Sequence, residues 1–269
     1  MLSQMIQETL QQEVEDLLLL QRLAQRANAT LELEALLGHT AQDVAVWLLP
    51  FGCAAEGRVD GRLRHHTGLD GHDYLQLPDG RIAVVLGDVA GKGSAAALLM
   101  SSTRSLLRLI ARDASGPSEV LTRLNRVLLD DFPAGRFVTM VYAVLDAASR
   151  SVVFANAGHL PPLLVDSTGG VSLETQAGLP LGTRKCDFSE RTVPVSNETR
   201  LVFYSDGITE ASNSSGEEYG IARVHDHLRQ SATSVHTLIE DVRGFSGGAH
   251  AADDATVVMI EASRDATAG

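Results

Sequence analysis

The arrangement of apolar runs along the chain constrains its fold most strongly. Strand-like runs follow one another across short turns such as DAASR, and helical patterns occur in pairs between blocks of strands. Strands joined by short turns pair antiparallel, so the sequence predicts a mostly antiparallel sheet in an α+β fold. The predicted strands are 81–86, 137–145, 151–155, 163–165, 191–195, 200–204 and 256–260, and the stretch DVAVWLLP is interpreted as a further strand that Pro50 ends. The predicted helices are 95–110, 118–129, 221–229 and 235–243.

The N-terminal region has its own helical pattern. Residues 4–27 contain no proline or glycine. Apolar residues follow one another there at alternating steps of three and four residues, at Leu17, Leu20, Ala24, Ala27 and Leu31. We interpret this stripe either as a face that packs on the rest of the chain or as a helix pair between two chains, which would make a homodimer. The chain is therefore divided into an N-terminal helical segment, 1–40, and a second domain, 41–269.

Composition excludes several classes of protein. A chain of 269 residues with 44% hydrophobic content can bury a full core, and a net charge of -12 disfavours a nucleic-acid surface. The cysteines, Cys53 and Cys186, are far apart and lack metal-binding neighbours, so neither a disulfide framework nor a zinc site is predicted. The LLLL run lacks the length of a membrane span. We expect a soluble, cytoplasmic protein without a membrane partner.

The stretch GKGSAA raises the alternative of a nucleotide site. It matches the G-x-G-x-x-A fingerprint between a strand and a helix, but a second helix follows where the fingerprint requires a parallel strand. Asp113 therefore lies at the expected spacing on the wrong element. Lys92 is followed by Gly93, which also excludes a P-loop. A nucleotide-dependent oxidoreductase is the disfavoured reading.

Aspartates recur at the ends of the apolar strands. Each of them alone is typical of a turn or a helix cap. Several carboxylates at sheet ends, without a competing Cys or His cluster, favour a site for a hard cation such as Mg²⁺ or Mn²⁺ if they converge. Asp88 and Asp206 follow strands, Asp253 and Asp254 precede one, and Asp70 and Asp73 are assigned to a loop before another.

Six blocks together resemble one family. They are LGDVAGKGSAAALLM, FVTMVYAVLD, FANAGHLPPLL, GLPLG, LVFYSDGITEASNSSGEEYG and ADDATVVMI, and they stand in the order and approximate spacing of the metal-dependent protein phosphatases (PPM family), in the bacterial SpoIIE/RsbU-like branch. The resemblance covers about residues 44–260. It implies an antiparallel β-sandwich with helices outside, two Mn²⁺ or Mg²⁺ ions at one end, and a phosphatase domain over 41–269.

The resemblance also implies roles for particular residues. Asp88 resembles the aspartate that bridges both ions, and the backbone carbonyl of Val89 resembles the adjacent ligand. Asp206 and Asp253 resemble ligands of one ion, and Asp73 is matched to the acidic residue of a GGD motif near the other. The motif here reads GHD, with His72 in place of a glycine, which puts the role of Asp73 in doubt.

Other residues in these blocks have supporting roles. Asp254 is interpreted either as a residue that orients Asp253 or as a cap. The NAGH turn with Asn156 and His159 is interpreted as structural, because two prolines follow it. Thr209 and Glu210 are candidates to support the turn that carries Asp206.

The resemblance implies a protein serine/threonine phosphatase in which a metal-activated water attacks the phosphoryl group. Its expected substrates are phosphoserine or phosphothreonine residues on a regulatory protein, such as an anti-sigma-factor antagonist of the STAS fold. The expected control element is the helix before the catalytic domain. A metal-free pseudophosphatase that acts as a binding module is the alternative in another functional class.

Overall fold

The computed structural model describes residues 44–50, 71–90, 94–131, 135–146, 149–166, 168–173, 178–195, 199–230, 234–247 and 255–262. Two five-stranded sheets lie at its centre, and every strand pair in the described residues is antiparallel. The first sheet has the order β1 (Val44–Pro50), β10 (Thr256–Ala262), β9 (Arg200–Tyr204), β6 (Leu163–Val165), β7 (Val171–Leu173). The second has the order β2 (Gly71–Gln76), β3 (Ile82–Val89), β4 (Val138–Asp146), β5 (Ser151–Ala157), β8 (Glu190–Pro194).

Both faces of the central strands are buried, which explains their almost continuous apolar sequences. In β3, Val84 and Leu86 belong to the core between the two sheets, whereas Ala83 and Val85 belong to the core under the helices. Phe154 and Phe203 meet edge to face between the sheets, with ring centroids 6.1 Å apart. The core between the sheets therefore holds the sandwich together.

Helices cover both outer faces. The helices α1 (Ser94–Ile110) and α2 (Pro117–Asp131) pack on the second sheet, and α4 (Gly220–Leu228) and α5 (Val235–Phe245) pack on the first. A four-residue helix, α3 (Asp206–Thr209), directly follows β9. In α5 the buried side chains recur at helical spacing, at Val235, Leu238, Ile239 and Val242. A capping box between Ser234 and Thr237 defines where α5 begins.

The observed order of layers is helix, sheet, sheet, helix, so the predicted α+β sandwich is confirmed. The antiparallel pairing shows that the dinucleotide-binding reading is wrong, because that fold requires a parallel sheet. The assignment of Asp73 to a loop is also wrong: Gly71–Gln76 is a strand, paired with β3 along its full length. Backbone hydrogen bonds hold this glycine-containing segment as a strand although its sequence is polar.

The predicted N-terminal helix and its division from the rest at residue 40 lie outside the described residues. Within the part of the chain that the structure describes, no helix is long and apolar enough to span a membrane.

Candidate active site

The inward-facing positions of five strands change from apolar to polar at one end of the sandwich. Side chains alternate between the two faces of a strand, so a step of two residues stays on the same face. In each of the five strands, an apolar residue belongs to the core between the sheets, and the residue two positions further along is polar and mostly buried. The steps run from Leu86 to Asp88, Val141 to Thr139, Phe154 to Asn156, Phe203 to Ser205 and Val258 to Thr256.

His159 shows that the polar ends of the two sheets meet. Its Nδ1 lies 3.1 Å from Oγ1 of Thr139 in the second sheet. Its ring also lies beside the backbone carbonyl of Tyr204 in the first sheet. Burial lowers the pKa of His159 to about 4, against a small opposing effect of the Tyr204 carbonyl, so the imidazole is neutral near pH 7.

Asp88 lies at the end of β3, directly opposite Thr139 on β4. The preceding glycine permits this close pairing, since a Cβ at Gly87 would lie 2.9 Å from the Thr139 carbonyl oxygen. Just beyond Asp88, the amide of Ala90 donates to Phe137 (2.9 Å), and Nη1 of Arg136 donates to the Ala90 carbonyl (2.9 Å). The strand end that carries Asp88 is therefore fixed from β4.

The backbone of Val89 is oriented by the same ladder. Residues of an antiparallel pair alternate between exchanging hydrogen bonds and facing away. Ala90 bonds to its partner Phe137, so the carbonyl of Val89 is directed to the side of β3 opposite β4. The side chain of Val89 is buried under the helices. Val89 thus contributes a backbone oxygen and an apolar anchor.

Asp206 begins the helix α3 immediately after β9. The turn is fixed to β10 because the amide of Ser205 donates to the Thr256 carbonyl (2.9 Å) and the amide of Thr256 donates to Oγ of Ser205 (2.8 Å). Thr209 Oγ1 and the amide of Glu210 both donate to the carbonyl of Asp206, at 3.2 and 2.7 Å. Thr209 thus supports the turn through its side chain, and Glu210 does so through its backbone amide.

The NAGH turn is rigid, as predicted. Nδ2 of Asn156 donates to the His159 carbonyl (3.1 Å), and the His159 amide donates to Oδ1 of Asn156 (2.8 Å). Gly158 has φ +71°, and a Cβ there would lie 2.7 Å from Pro180. Only glycine fits this backbone, and the turn presents the His159 ring to the space between the sheets.

This chain is similar to known proteins in both its sequence and its fold. The family model described as Stage II sporulation protein E (SpoIIE) matches residues 78–263. The chain belongs to the SpoIIE family. Phosphoserine phosphatase RsbU of Bacillus subtilis is 30% identical over 165 residues, which cover 60% of this chain and 49% of RsbU. The chain spans about half the length or less of the curated relatives it matches.

Solved structures agree on the SpoIIE-family fold. The SiaA-PP2C domain of Pseudomonas aeruginosa superposes with a TM-score of 0.67 at 19% identity, over 95% of this chain and 98% of that domain. RsbX in complex with magnesium superposes with a TM-score of 0.59 at 15% identity, over 84% of this chain and 98% of RsbX. The fold of this chain is therefore that of the PP2C phosphatases.

The structure places some of the residues that the sequence predicts as ligands at the same end of the sandwich of this SpoIIE-family chain. Asp88, the Val89 carbonyl and Asp206 lie at the polar end of the sandwich. Asp73 has its Cα opposite Val85, three positions from the level of Asp88 along the neighbouring strand. Asp253, like its neighbour Asp254, lies outside the described residues, three positions before Thr256.

The available donors suit a hard cation. Two carboxylates and a backbone carbonyl are oxygen ligands, which Mg²⁺ and Mn²⁺ prefer. The described residues by themselves contain no group of three or more His, Cys, Asp or Glu side chains that could hold a metal. Asp253 stays a predicted further ligand outside the described residues.

Sequence reasoning missed Thr139 and Arg136. A threonine at the start of a strand is an ordinary strand former, and one arginine after a glycine is typical of a surface turn. The signal that identifies Thr139 is positional. It is the polar residue that ends an inward-facing apolar series, and the same change occurs at Asp88, Ser205 and Thr256.

Proposed function

We propose that this chain is a metal-dependent protein serine/threonine phosphatase. The proposal is supported by the positions of Asp88, at the end of β3, and Asp206, directly after β9, on the two facing sheets of a PP2C-type sandwich, where β4 and β10 hold the strand ends in place. The proposal is supported by the relative RsbU, which is named a phosphoserine phosphatase.

The proposed metal ligands are Asp88, the Val89 carbonyl, Asp206 and Asp253, with Asp73 as a further candidate. The complex of RsbX with magnesium supports metal binding by this fold. Two divalent cations would supply Lewis acidity and lower the pKa of a water molecule toward neutrality. We propose two Mn²⁺ or Mg²⁺ ions, because a pair of ions suits displacement at phosphorus.

The chain's own residues then have defined tasks. The carboxylates of Asp88 and Asp206 are attached to fixed backbone, because hydrogen bonds from β4 and β10 hold the ends of their strands. Arg136 places a guanidinium beside the Ala90 carbonyl, two residues from Asp88, where it attracts a phosphoryl dianion. His159 is neutral near pH 7 and does not serve as a proton donor there.

The proposed substrate is phosphoserine or phosphothreonine on a regulatory protein in a partner-switching system in the cytoplasm. We favour an anti-sigma-factor antagonist of the STAS fold, as the resemblance implies. The N-terminal segment is proposed as the control or dimer element, and replacing Leu17 and Leu20 by Ser should change either the metal requirement or the size in solution. Size-exclusion chromatography with a Mn²⁺ titration separates these two results.

The experiment is phosphate release from a serine-phosphorylated STAS protein in the presence of Mn²⁺. We expect release by the wild-type chain and none by the Asp88→Asn variant. Loss of metal binding measured by calorimetry in the variant would accompany the loss of release. A wild-type chain that binds Mn²⁺ and the phosphoprotein, yet releases no phosphate from it or from an aryl phosphate, is a pseudophosphatase and contradicts the proposal.

A further inference from the structure

His159 occupies a place that a purely structural residue does not require. It is buried, with 6% of its surface exposed, and its Nε2 has no hydrogen-bond partner in the described residues. A buried polar atom without a partner carries a desolvation cost, and an apolar side chain of the same shape would avoid it. The surroundings of the two ring nitrogens therefore indicate a role for the imidazole beyond packing.

The first contact of the ring leads to Asp88. Nδ1 lies 3.1 Å from Oγ1 of Thr139, and Thr139 is the residue directly opposite Asp88 in the ladder of β3 and β4. The alternation of an antiparallel ladder makes this a hydrogen-bonded pair, because the amide of Ala90, two positions further along, donates to its own partner Phe137. A displacement of Thr139 therefore displaces the backbone of Asp88.

The second neighbour of the ring leads to Asp206. The Tyr204 carbonyl, two residues before Asp206, lies beside the imidazole without forming a hydrogen bond of normal geometry. The intervening residue, Ser205, is held to Thr256 by two hydrogen bonds. The His159 ring thus lies between two strand ends. One is the end of β3 with Asp88, and the other is the end of β9 that leads to Asp206.

The backbone of His159 cannot adjust to a loss of either contact. Asn156 bonds to both the amide and the carbonyl of His159, and the φ of +71° at Gly158 fixes the direction from which the ring enters. The spacing between the two sheets at this end is therefore set by a side chain on a rigid support.

We propose that His159, through Thr139, is a positioning residue that fixes the separation between Asp88 and Asp206 and thereby sets the affinity for the metal. This inference rests on the proposed function only in taking the two carboxylates as ligands. The neutral ring contacts the Thr139 hydroxyl through Nδ1, and the Tyr204 backbone is its neighbour in the other sheet. The ring does not itself contact the substrate.

The test measures Mn²⁺ binding by isothermal calorimetry, without substrate, in the full chain. Thr139→Val removes the hydroxyl and keeps the shape, and His159→Phe removes both nitrogens and keeps a ring. We expect each to weaken Mn²⁺ binding about tenfold, in the range of changes to residues that orient metal ligands. Thr139→Ser restores the hydroxyl and should return the affinity to within about twofold of wild type.

The matched control is His227, a second buried histidine that joins α4 to α5. Its Nδ1 lies 3.2 Å from Asp241 and its Nε2 lies 3.1 Å from Thr237. His227→Phe should lower the urea midpoint of unfolding but leave Mn²⁺ affinity unchanged. Equal changes of Mn²⁺ affinity in His159→Phe and His227→Phe would overturn the proposal, because general loss of stability would then explain both.

The activity readout separates the inference from the proposed function. The Mn²⁺ concentration that gives half-maximal turnover of a small aryl phosphate should rise in Thr139→Val by the factor seen in calorimetry. Wild-type Mn²⁺ affinity in Thr139→Val overturns the inference and leaves the phosphatase proposal intact. A wild-type chain without turnover, but with weakened Mn²⁺ binding in Thr139→Val, overturns only the phosphatase proposal. If His159→Phe does not fold, the Thr139 pair carries the test.

Discussion

Two buried histidines, at different places in the fold, differ in how completely their hydrogen-bonding groups are used. Both nitrogens of His227 have partners, and Tyr219 completes that network by donating to Asp241. In the ring of His159, Nδ1 has a side-chain partner in Thr139, whereas Nε2 has no hydrogen-bond partner in the described residues. We call the set Tyr219, His227, Thr237 and Asp241 the helix network, and the set Asp88, Thr139, His159, Ser205 and Thr256 the site network.

This difference suggests that the helix network contributes to stability and the site network to the proposed reaction. A fully satisfied network between two helices is accounted for by packing α4 against α5, since every buried polar group repays its desolvation. The site network is incomplete and lies where strands that carry acidic residues end. A buried nitrogen without a partner costs stability, so we expect the site network to serve the proposed metal site instead. The predictions below test this division, from the largest expected effect to the smallest.

Removing charge from the site network should have the largest effect. Asp88→Asn is expected to lower turnover of an aryl phosphate roughly 1,000-fold, about 4 kcal/mol in the barrier, because it weakens a proposed ligand of both ions. Circular dichroism should show an unchanged fold, since the side chain is partly exposed. Asp241→Asn in the helix network is the control and should keep turnover within about twofold. Near wild-type turnover by Asp88→Asn at saturating Mn²⁺ would show that the site is wrongly assigned.

The buried imidazole of His159 predicts a pH dependence of stability. Its pKa is about 4 in the folded chain, against an ordinary value of 6.5. The unfolded chain therefore binds a proton that the folded chain does not, and the free energy of unfolding should fall as the pH drops from 6.5 to 4. The full loss is about 3 kcal/mol.

Urea unfolding at several pH values measures this loss, and comparison with His159→Asn isolates it from the carboxylates that also titrate. The variant should lose stability less steeply than wild type over the same range. Parallel curves for wild type and variant would mean that burial of the imidazole does not determine the slope.

Removing one hydrogen bond of the helix network should have a smaller effect, and only on the free energy of unfolding. Burial, reinforced by Asp241, raises the pKa of Tyr219, so the phenol remains a donor at neutral pH. Tyr219→Phe should lower the free energy of unfolding by about 1 kcal/mol, because the half-exposed Asp241 recovers hydration. Turnover should stay within about twofold. A large loss of turnover without loss of stability would break the division between the two networks.

Much of the sandwich was predictable because its central strands are buried on both faces. The apolar runs of β3, β4, β9 and β10 are typical of buried strands, and the paired helices show a clear helical periodicity. The strand β2 was missed since its sequence, GHDYLQ, contains polar residues and glycine, and only pairing with β3 makes it a strand. The three-residue β7 and four-residue α3 are too short to produce a pattern.

The acidic residues of the site could be predicted from the sequence, whereas the residues that hold them in place could not. Aspartates after apolar strands stand out, as Asp88 and Asp206 do. Thr139 and Ser205 do not, because their significance comes from register: each ends an inward-facing series that only the pairing of strands reveals. The roles of Asp73 and Asp253 stay predictions, and the position of Asp73, three residues along β2 from the level of Asp88, makes a smaller effect for Asp73→Asn the expected result.

The central claim is that oxygen ligands at the polar end of this sandwich hold the ions that make the chain a phosphatase. The most direct measurement is hydrolysis of an aryl phosphate by the full chain after removal of metal with a chelator, followed by a titration with Mn²⁺ and with Mg²⁺. We predict no turnover without metal and its recovery on addition of either ion. Full turnover by the metal-free chain would contradict the account.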